Sequence, residues 1–195
     1  MSPRRSVAEA RHTRDTIITT AIDIASLDGL EGVTIGRLAG ELGMSKSGVL
    51  GHFGTKETLQ LAAIRLVVDQ FTTHVVEPAL DHAPGEDRLL ALCDNWFDYV
   101  TDPGLPGGCL MTAAAVEFDG RAGDVRDVVA EAWARWDDLL RKELGRTPGD
   151  FDVDQALFEI VAFGPAVNRA VQLFGDRSAA GRAKRAARRV IGRTG

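Results

Sequence analysis

The residues whose types and spacing could do chemistry lie close together near the N-terminus, between Ile35 and Phe53. In this segment small and apolar residues fall at the buried, crossing and turn positions of a helix-turn-helix: Leu38, Ala39, Leu42, Gly43, Met44 and Val49. The second helix of such a unit enters the major groove of DNA with its N-terminal residues against the base edges. Lys46, Ser47 and Gly48 occupy that position, and an ammonium suits the O6 and N7 acceptors of guanine. The spacing therefore predicts a module that reads a DNA sequence.

Three helices must position these residues. Apolar side chains recur at helical spacing from about residue 13 to residue 25, and Asp28-Gly29 ends this first helix with a glycine suited to a left-handed cap. Thr34 and Ser45 are good N-caps for the second and third helices, because their hydroxyls accept backbone N–H groups at a helix start. The first sixty residues thus form a compact three-helix unit.

The rest of the chain predicts six further helices and no strand. Apolar stripes with a helical period continue to the C-terminus, separated by glycine and proline. The predicted helices cover about residues 56–76, 88–100, 109–118, 125–144, 153–174 and 178 onward. We expect an all-α protein of about nine helices. An N-terminal arm and DNA-binding domain takes residues 1–56, and a helical effector-binding and dimerisation domain takes residues 57–195.

The net charge of the chain gives little support to the DNA-binding hypothesis. The chain carries 23 Lys and Arg against 28 Asp and Glu, a net charge of -5, and its first 60 residues hold 7 of each sign. Sequence-independent affinity for DNA comes from cations that neutralise phosphates, so binding must depend on local arrangement. The N-terminus carries arginines but no apolar signal region, and no later segment is apolar enough to span a bilayer. We expect a cytoplasmic protein without a membrane partner.

The segment from Thr34 to Leu59, TIGRLAGELGMSKSGVLGHFGTKETL, resembles the DNA-binding region of TetR-family repressors. The resemblance covers about residues 13–60, and the helix count extends the similarity to the whole chain. It implies that Thr34, Ser45, His52 and Lys56 face phosphates and so position the protein on a double-stranded DNA operator. These residues join Lys46, Ser47 and Gly48 as the expected DNA-binding set.

The chain departs from the family where two aromatic residues usually precede the His-Phe pair. Leu50 and Gly51 stand there, which removes a tyrosine contact to phosphate. Glycine inside a helix costs about 1 kcal/mol relative to alanine, so Gly51 also weakens the third helix. Affinity could then depend on the arginine-rich N-terminal arm, reaching the minor groove.

The C-terminal domain is expected to bind a small apolar or amphipathic effector. Ligand sites are mostly apolar with few polar groups. The candidate lining residues are Phe71, Trp96, Tyr99, Cys109, Met111, Thr112, Phe118, Trp133 and Trp136. The same side chains could instead be ordinary core, and the pattern leaves both readings open.

The last two helices are expected to form a homodimer, because an operator with two half-sites demands a twofold partner. The candidate interface residues are Ile160, Gly164, Val167, Val171, Ala183, Ala187 and Val190. The alternative is that these stripes complete the core of a monomer.

Other kinds of site find little support in the sequence. His74 and His82 lie near Glu77 and Asp81, but Pro78 interrupts the helix and no metal-ligand motif appears, so no metal or cofactor is expected. Nucleophile-elbow, P-loop and dinucleotide-binding motifs are missing, and we expect no enzyme. The resemblance implies a regulator, a repressor that binds a palindromic operator as a dimer and is released by its effector. The alternative is a helical-bundle enzyme or a protein-interaction module that uses the C-terminal cavity.

Overall fold

The computed structural model describes the backbone of residues 3–192 and the side chains of residues 7–192. Over this range the chain forms nine helices and no strand. They are α1 (Pro3–Asp28), α2 (Ile35–Glu41), α3 (Lys46–Phe53), α4 (Lys56–Ala79), α5 (Glu86–Thr101), α6 (Leu110–Phe118), α7 (Asp124–Leu144), α8 (Val153–Phe174) and α9 (Ala179–Ile191). The predicted all-α class is confirmed.

Helix α4 changes its winding along its length. It is α-helical over Lys56–Phe71, π-helical over Thr72–Val76 and α-helical again over Glu77–Ala79. The sequence predicted that it ends before Pro78, whereas Pro78 lies in the first turn of the last segment. Proline lacks the N–H that a helical hydrogen bond needs, and the helix ends one residue later, at Ala79.

The helices pack into two compact units that alternate along the chain. The first contains residues 1–67 and 105–129, and the second contains residues 68–104 and 130–195. Helix α6 therefore belongs to the same unit as α1, α2 and α3, although it follows α5 in sequence. The functional boundary after residue 56 stays a prediction.

In the first unit, α1 begins at Pro3 and not near residue 13 as the apolar pattern predicted. Its buried face is made by Ile17, Ile18, Ala21, Ile22, Ile24 and Ala25. Residues 7–12 are exposed, so no apolar stripe marks them as helical; alanine, arginine and glutamate favour a helix by their own propensity. The expected arm is thus helical from Pro3 onward, and the side chains of Arg4 and Arg5 lie outside the described residues.

In the second unit, helices α5 and α8 approach each other closely at Gly164. A Cβ at this position would lie 2.1 Å from Cζ2 of Trp96, whose side chain is buried. The indole is rigid and cannot move aside without disturbing the core around it. The absence of a side chain at Gly164 therefore leaves the space that Trp96 fills.

We predict that Gly164→Ala destabilises the protein by about 1–3 kcal/mol, the usual cost of overpacking a core. Gly181→Ala on α9 is the matched control, because the nearest atom outside its helix backbone is the end of Arg185, 3.5 Å from the added Cβ. The control should stabilise its helix by about 0.5–1 kcal/mol. Urea unfolding measures both variants, and equal free energies of unfolding would contradict the packing argument.

Candidate DNA interface

Two hydroxyl caps fix the starts of α2 and α3. Thr34 Oγ1 accepts a hydrogen bond from the Arg37 N–H at 3.2 Å, and Ser45 Oγ accepts one from the Gly48 N–H at 3.0 Å. Between the helices Gly43 turns the chain with a φ of 61°, a left-handed value that favours glycine. The predicted caps are confirmed, and the first turn of α3 is held in one orientation.

Helix α3 has one buried and one exposed face. Val49 and Phe53 are buried, whereas the exposed residues are Lys46, Ser47, Leu50 and Gly51. These four share one side of the helix, because their spacings are one and four residues. Leu42 and Met44, predicted to be buried, are only half-buried. The expected base-reading residues Lys46 and Ser47 therefore lie on the exposed face of α3.

The Lys46 side chain lies over Gly36 of α2. A Cβ at position 36 would lie 3.3 Å from Cε and 3.6 Å from Nζ of Lys46. Any larger residue there would occupy the space that Lys46 now uses. Lys46 is nevertheless exposed to solvent. The sequence did not predict this contact, because Lys46 and Gly36 lie on different helices.

Lys56, expected to face phosphate, forms an ion pair within the first unit. Its Nζ donates to the backbone carbonyl of Glu31 at 2.9 Å and to Glu31 Oε2 at 3.0 Å. The hydrogen bond from Lys56 holds the pKa of the Glu31 carboxyl below its ordinary value. Arg121 Nη1 lies 3.5 Å from the other carboxylate oxygen of Glu31. A phosphate must therefore compete with Glu31 for Lys56.

His52 and Thr55 flank the end of α3. The His52 side chain is half-buried, and its ring centroid lies 6.5 Å from that of Phe53. Thr55 Oγ1 accepts the Thr58 N–H at 3.0 Å and so caps α4. The guanidinium of Arg14 on α1 stacks over the Phe53 ring, 4.7 Å from its centroid. This stacking fixes the end of α3 against α1.

Five of the nine expected effector-site residues form one aromatic cluster in the second unit. Ring centroids lie 5.0 Å apart for Phe71 and Trp136, 5.5 Å for Phe71 and Tyr99, 5.3 Å for Trp96 and Trp136, and 6.4 Å for Trp96 and Trp133. The indole N–H of Trp136 is buried without a hydrogen-bond acceptor in the described chain. The other four residues, Cys109, Met111, Thr112 and Phe118, lie on α6 or directly before it, in the first unit.

The residues expected at the dimer interface lie mostly in the packing of their own unit, and their role in a dimer stays a prediction. Most of these residues are buried inside their own unit, where α5, α8 and α9 pack together: Ile160, Gly164, Val167, Ala183, Ala187 and Val190. Val171 is half-buried. A helical period locates an apolar stripe but does not tell which partner covers it. Their burial is what the alternative interpretation, a subunit core, expects, while Val167 and Ala183 also line a groove between α8 and α9.

A different face of α8 is apolar and exposed. Phe158 is 71% exposed, Leu173 is 68% exposed and Phe174 is 64% exposed. Small side chains beside them line a shallow groove between α8 and α9: Ala166, Ala170, Ala179, Ala183 and Ala186, together with Phe163, Val167 and Arg182. Phe158, Ala162, Ala166, Arg169 and Leu173 recur every three or four residues, a signal already present in the sequence.

Two other searches cover only the described part of the chain. Over residues 3–192 no three His, Cys, Asp or Glu side chains gather in a way that could hold a metal ion. None of the helices described above combines the length and apolarity that crossing a membrane requires.

A capped helix-turn-helix with an exposed reading face, joined to a helical C-terminal region, defines a class of DNA-binding regulator. The family model for bacterial regulatory proteins of the tetR family matches residues 17–63, and the model for the tetracyclin repressor-like C-terminal domain matches residues 85–187. The chain belongs to the TetR family of transcriptional regulators.

Solved structures with the same fold include a TetR regulator from Chloroflexus aurantiacus J-10-FL, 21% identical, with a TM-score of 0.80 over 96% of this chain and 98% of that one. A TetR-family regulator from Streptomyces coelicolor is 24% identical, with a TM-score of 0.80 over 95% of each chain. AibR, solved with isovaleryl coenzyme A and operator DNA, is 20% identical, with a TM-score of 0.74 over 88% of this chain and 95% of its own. No curated protein matches the sequence.

We predict that Glu31→Gln frees Lys56 to bind a phosphate. One added phosphate contact steepens the dependence of log K on log salt by about 0.9. The measurement is the affinity for a non-specific duplex at several salt concentrations. Glu131→Gln on α7 is the control, because it changes the charge equally and also releases a cation, Arg135, from an ion pair. Equal slopes for the two variants would show that removing the Glu31 charge adds no phosphate contact by Lys56.

Proposed function

We propose that this protein is a transcriptional repressor that binds a palindromic operator as a homodimer and leaves it when a small molecule binds the helical domain. The observation that carries the proposal is the capped first turn of α3, where the side chains of Lys46 and Ser47 are exposed. AibR, which shares the fold, has been solved with both a small molecule and operator DNA, and this supports the same pairing here.

Base reading is assigned to the exposed face of α3. Lys46 donates to the O6 and N7 of a guanine, which is the commonest specific contact in the major groove. Leu50 is 38% exposed on the same face and suits the methyl group of a thymine. Ser47 and Gly48 complete the first turn, and Gly48 lets the backbone come close to the bases.

Phosphate binding is assigned to the residues around this face. Thr34 and Ser45 lie at the starts of α2 and α3, where helix N-termini attract anions. His52 at the end of α3 and Lys56 at the start of α4 complete the set. These contacts set the position of the protein on the duplex and leave the choice of sequence to α3.

Selection from a random duplex pool tests the reading face. We expect the wild-type protein to enrich a palindrome with a guanine at one fixed position in each half-site. Lys46→Ala should lose about 1–3 kcal/mol per half-site, roughly 5- to 150-fold, and lose the preference for that guanine. Lys142→Ala, on the exposed side of α7, is the control and should keep both. Repeating the selection at two salt concentrations separates base reading from attraction to phosphate.

If the wild-type protein enriches no sequence, the proposed function is wrong. If Lys142→Ala weakens binding as much as Lys46→Ala does, the effect comes from net charge and α3 is not the reading helix.

Dimerisation is assigned to the exposed face of α8 and its groove with α9. Phe158 and Leu173 belong to one apolar side of α8, and the alanine-lined groove beside it allows a second helix to approach closely. Two copies related by a twofold axis would pair the same face on each and form a four-helix interface. The two α3 helices would then reach successive major grooves, about 34–36 Å apart.

We predict that Phe158→Glu gives a monomer in sedimentation at concentrations where the wild-type protein is a dimer. A buried charge without a partner opposes association, and we expect operator affinity to fall at least tenfold, about 1.4 kcal/mol. Val116→Glu is the control, because Val116 is equally exposed on α6 but lies outside the proposed face. A dimeric Phe158→Glu protein would place the interface elsewhere.

Effector binding is assigned to the aromatic cluster of the second unit. Among the residues that the structure describes, the buried indole N–H of Trp136 has no acceptor, which favours an apolar molecule that carries a hydrogen-bond acceptor. Helix α4 begins in the first unit and ends in the second, so it is the natural lever between effector and DNA. An effector must favour the released conformation by about 5.5 kcal/mol to move the population from 1:99 to 99:1.

A further inference from the structure

The loop between α1 and α2 binds a carboxylate from a distant helix. The N–H groups of Leu30 and Glu31 donate to Oε2 and Oε1 of Glu117, each at 2.8 Å. Gly29 precedes them with a φ of 75°, and this left-handed turn aims the two successive N–H groups in one direction. Such a pair of amides forms a nest that binds anions. The Glu117 carboxylate on α6 fills this nest.

Gly29 leaves room for the carboxylate of Glu117. A Cβ at position 29 would lie 2.8 Å from Oε2 and 2.9 Å from Oε1 of Glu117. The positive φ also favours glycine over any other residue. The nest therefore accepts the carboxylate because residue 29 has no side chain.

Side chains of α4 bind the carbonyl groups of the same loop. The Gln60 amide, with its side chain buried, donates to the Leu30 carbonyl at 2.8 Å. Lys56 Nζ donates to the Glu31 carbonyl at 2.9 Å. Glu117 on α6 thus binds the N–H groups of Leu30 and Glu31, and side chains of α4 bind the carbonyls of the same two residues.

A second contact joins the chain before α6 to the end of α1. The Gly107 N–H donates to Ser26 Oγ at 3.1 Å. A Cβ at Gly107 would lie 1.8 Å from the Ser26 carbonyl oxygen, so only glycine fits. Helix α6 is therefore fixed against the DNA-binding module at both of its ends, although it lies in the segment matched by the C-terminal family model.

We propose that Glu117 is a positioning residue that fixes α2 and α3 relative to α6 and thereby sets the half-site spacing that the dimer accepts. Thr34, the cap of α2, follows the nest by only three residues, so α2 has little freedom while the nest is filled. The proposal rests on the proposed function, since spacing has meaning only for a dimer on a palindrome.

The test compares palindromes whose half-sites keep the selected spacing with palindromes changed by one base pair in either direction. We expect wild-type protein to prefer the selected spacing at least tenfold, and Glu117→Ala to reduce that preference at least threefold. Glu117→Gln keeps one acceptor oxygen and should give an intermediate value. Glu131→Ala, on the exposed side of α7, is the control and should keep the wild-type preference. Loss of stability alone would weaken binding to every spacing equally.

Amide hydrogen exchange of the DNA-free protein gives a second readout. We expect Glu117→Ala and Glu117→Gln to speed exchange at Leu30 and Glu31 by at least tenfold, while Glu131→Ala leaves it unchanged. Should Glu117→Ala fail to fold, Glu117→Gln carries both measurements.

The outcomes separate the two hypotheses. If wild-type protein selects no palindrome, the proposed function fails, and with it the role in spacing, whatever the exchange shows of the contact. If it selects a palindrome but the Glu117 variants keep its spacing preference, the positioning role is overturned and the proposed function stands. Unchanged exchange at Leu30 and Glu31 overturns the contact itself.

Discussion

In the loop between α1 and α2, the N–H groups of Leu30 and Glu31 have side-chain acceptors in place of backbone ones, and residues of two other helices bind this part of the chain. Glu117 accepts from two N–H groups, and Gln60 donates to the carbonyl between them. Unpaired backbone groups away from water are costly, so these contacts from α4 and α6 help to hold the loop in shape. The orientation of α2 and α3 therefore depends on residues outside the helix-turn-helix itself.

That dependence explains how a module without excess positive charge can present a reading surface. Val49 and Phe53 anchor α3 by its apolar side, and Arg14 stacks on Phe53 from α1. The opposite side leaves Lys46 uncovered over Gly36, whereas Lys56 is shared with Glu31. Among the described residues around α3, Lys46 is exposed whereas Lys56 is paired with Glu31. Under the proposed function, specific contacts therefore contribute more of the binding than general attraction to DNA does.

The sequence predicted the features that depend only on neighbouring residues. Thr34 and Ser45 cap their helices as expected, because a cap depends on residues within one turn. It did not predict which side of α8 faces outward, since Ile160 and Phe158 are both apolar and a helical period does not name the partner. Nor could it find the contact of Glu117 with Leu30, which joins residues 87 positions apart and depends on how α6 packs. Helix caps could therefore be predicted from the sequence, whereas contacts between distant helices could not.

The central claim is that two α3 helices read successive major grooves of one duplex, and methylation protection at guanine N7 tests it most directly. On a duplex selected by the protein, we predict two protected patches on one face of the DNA, separated by about 10–10.5 base pairs. The guanine assigned to Lys46 should lie within each patch and lose its protection in Lys46→Ala. A single patch, or protection only at adenine N3 in the minor groove, would contradict the account.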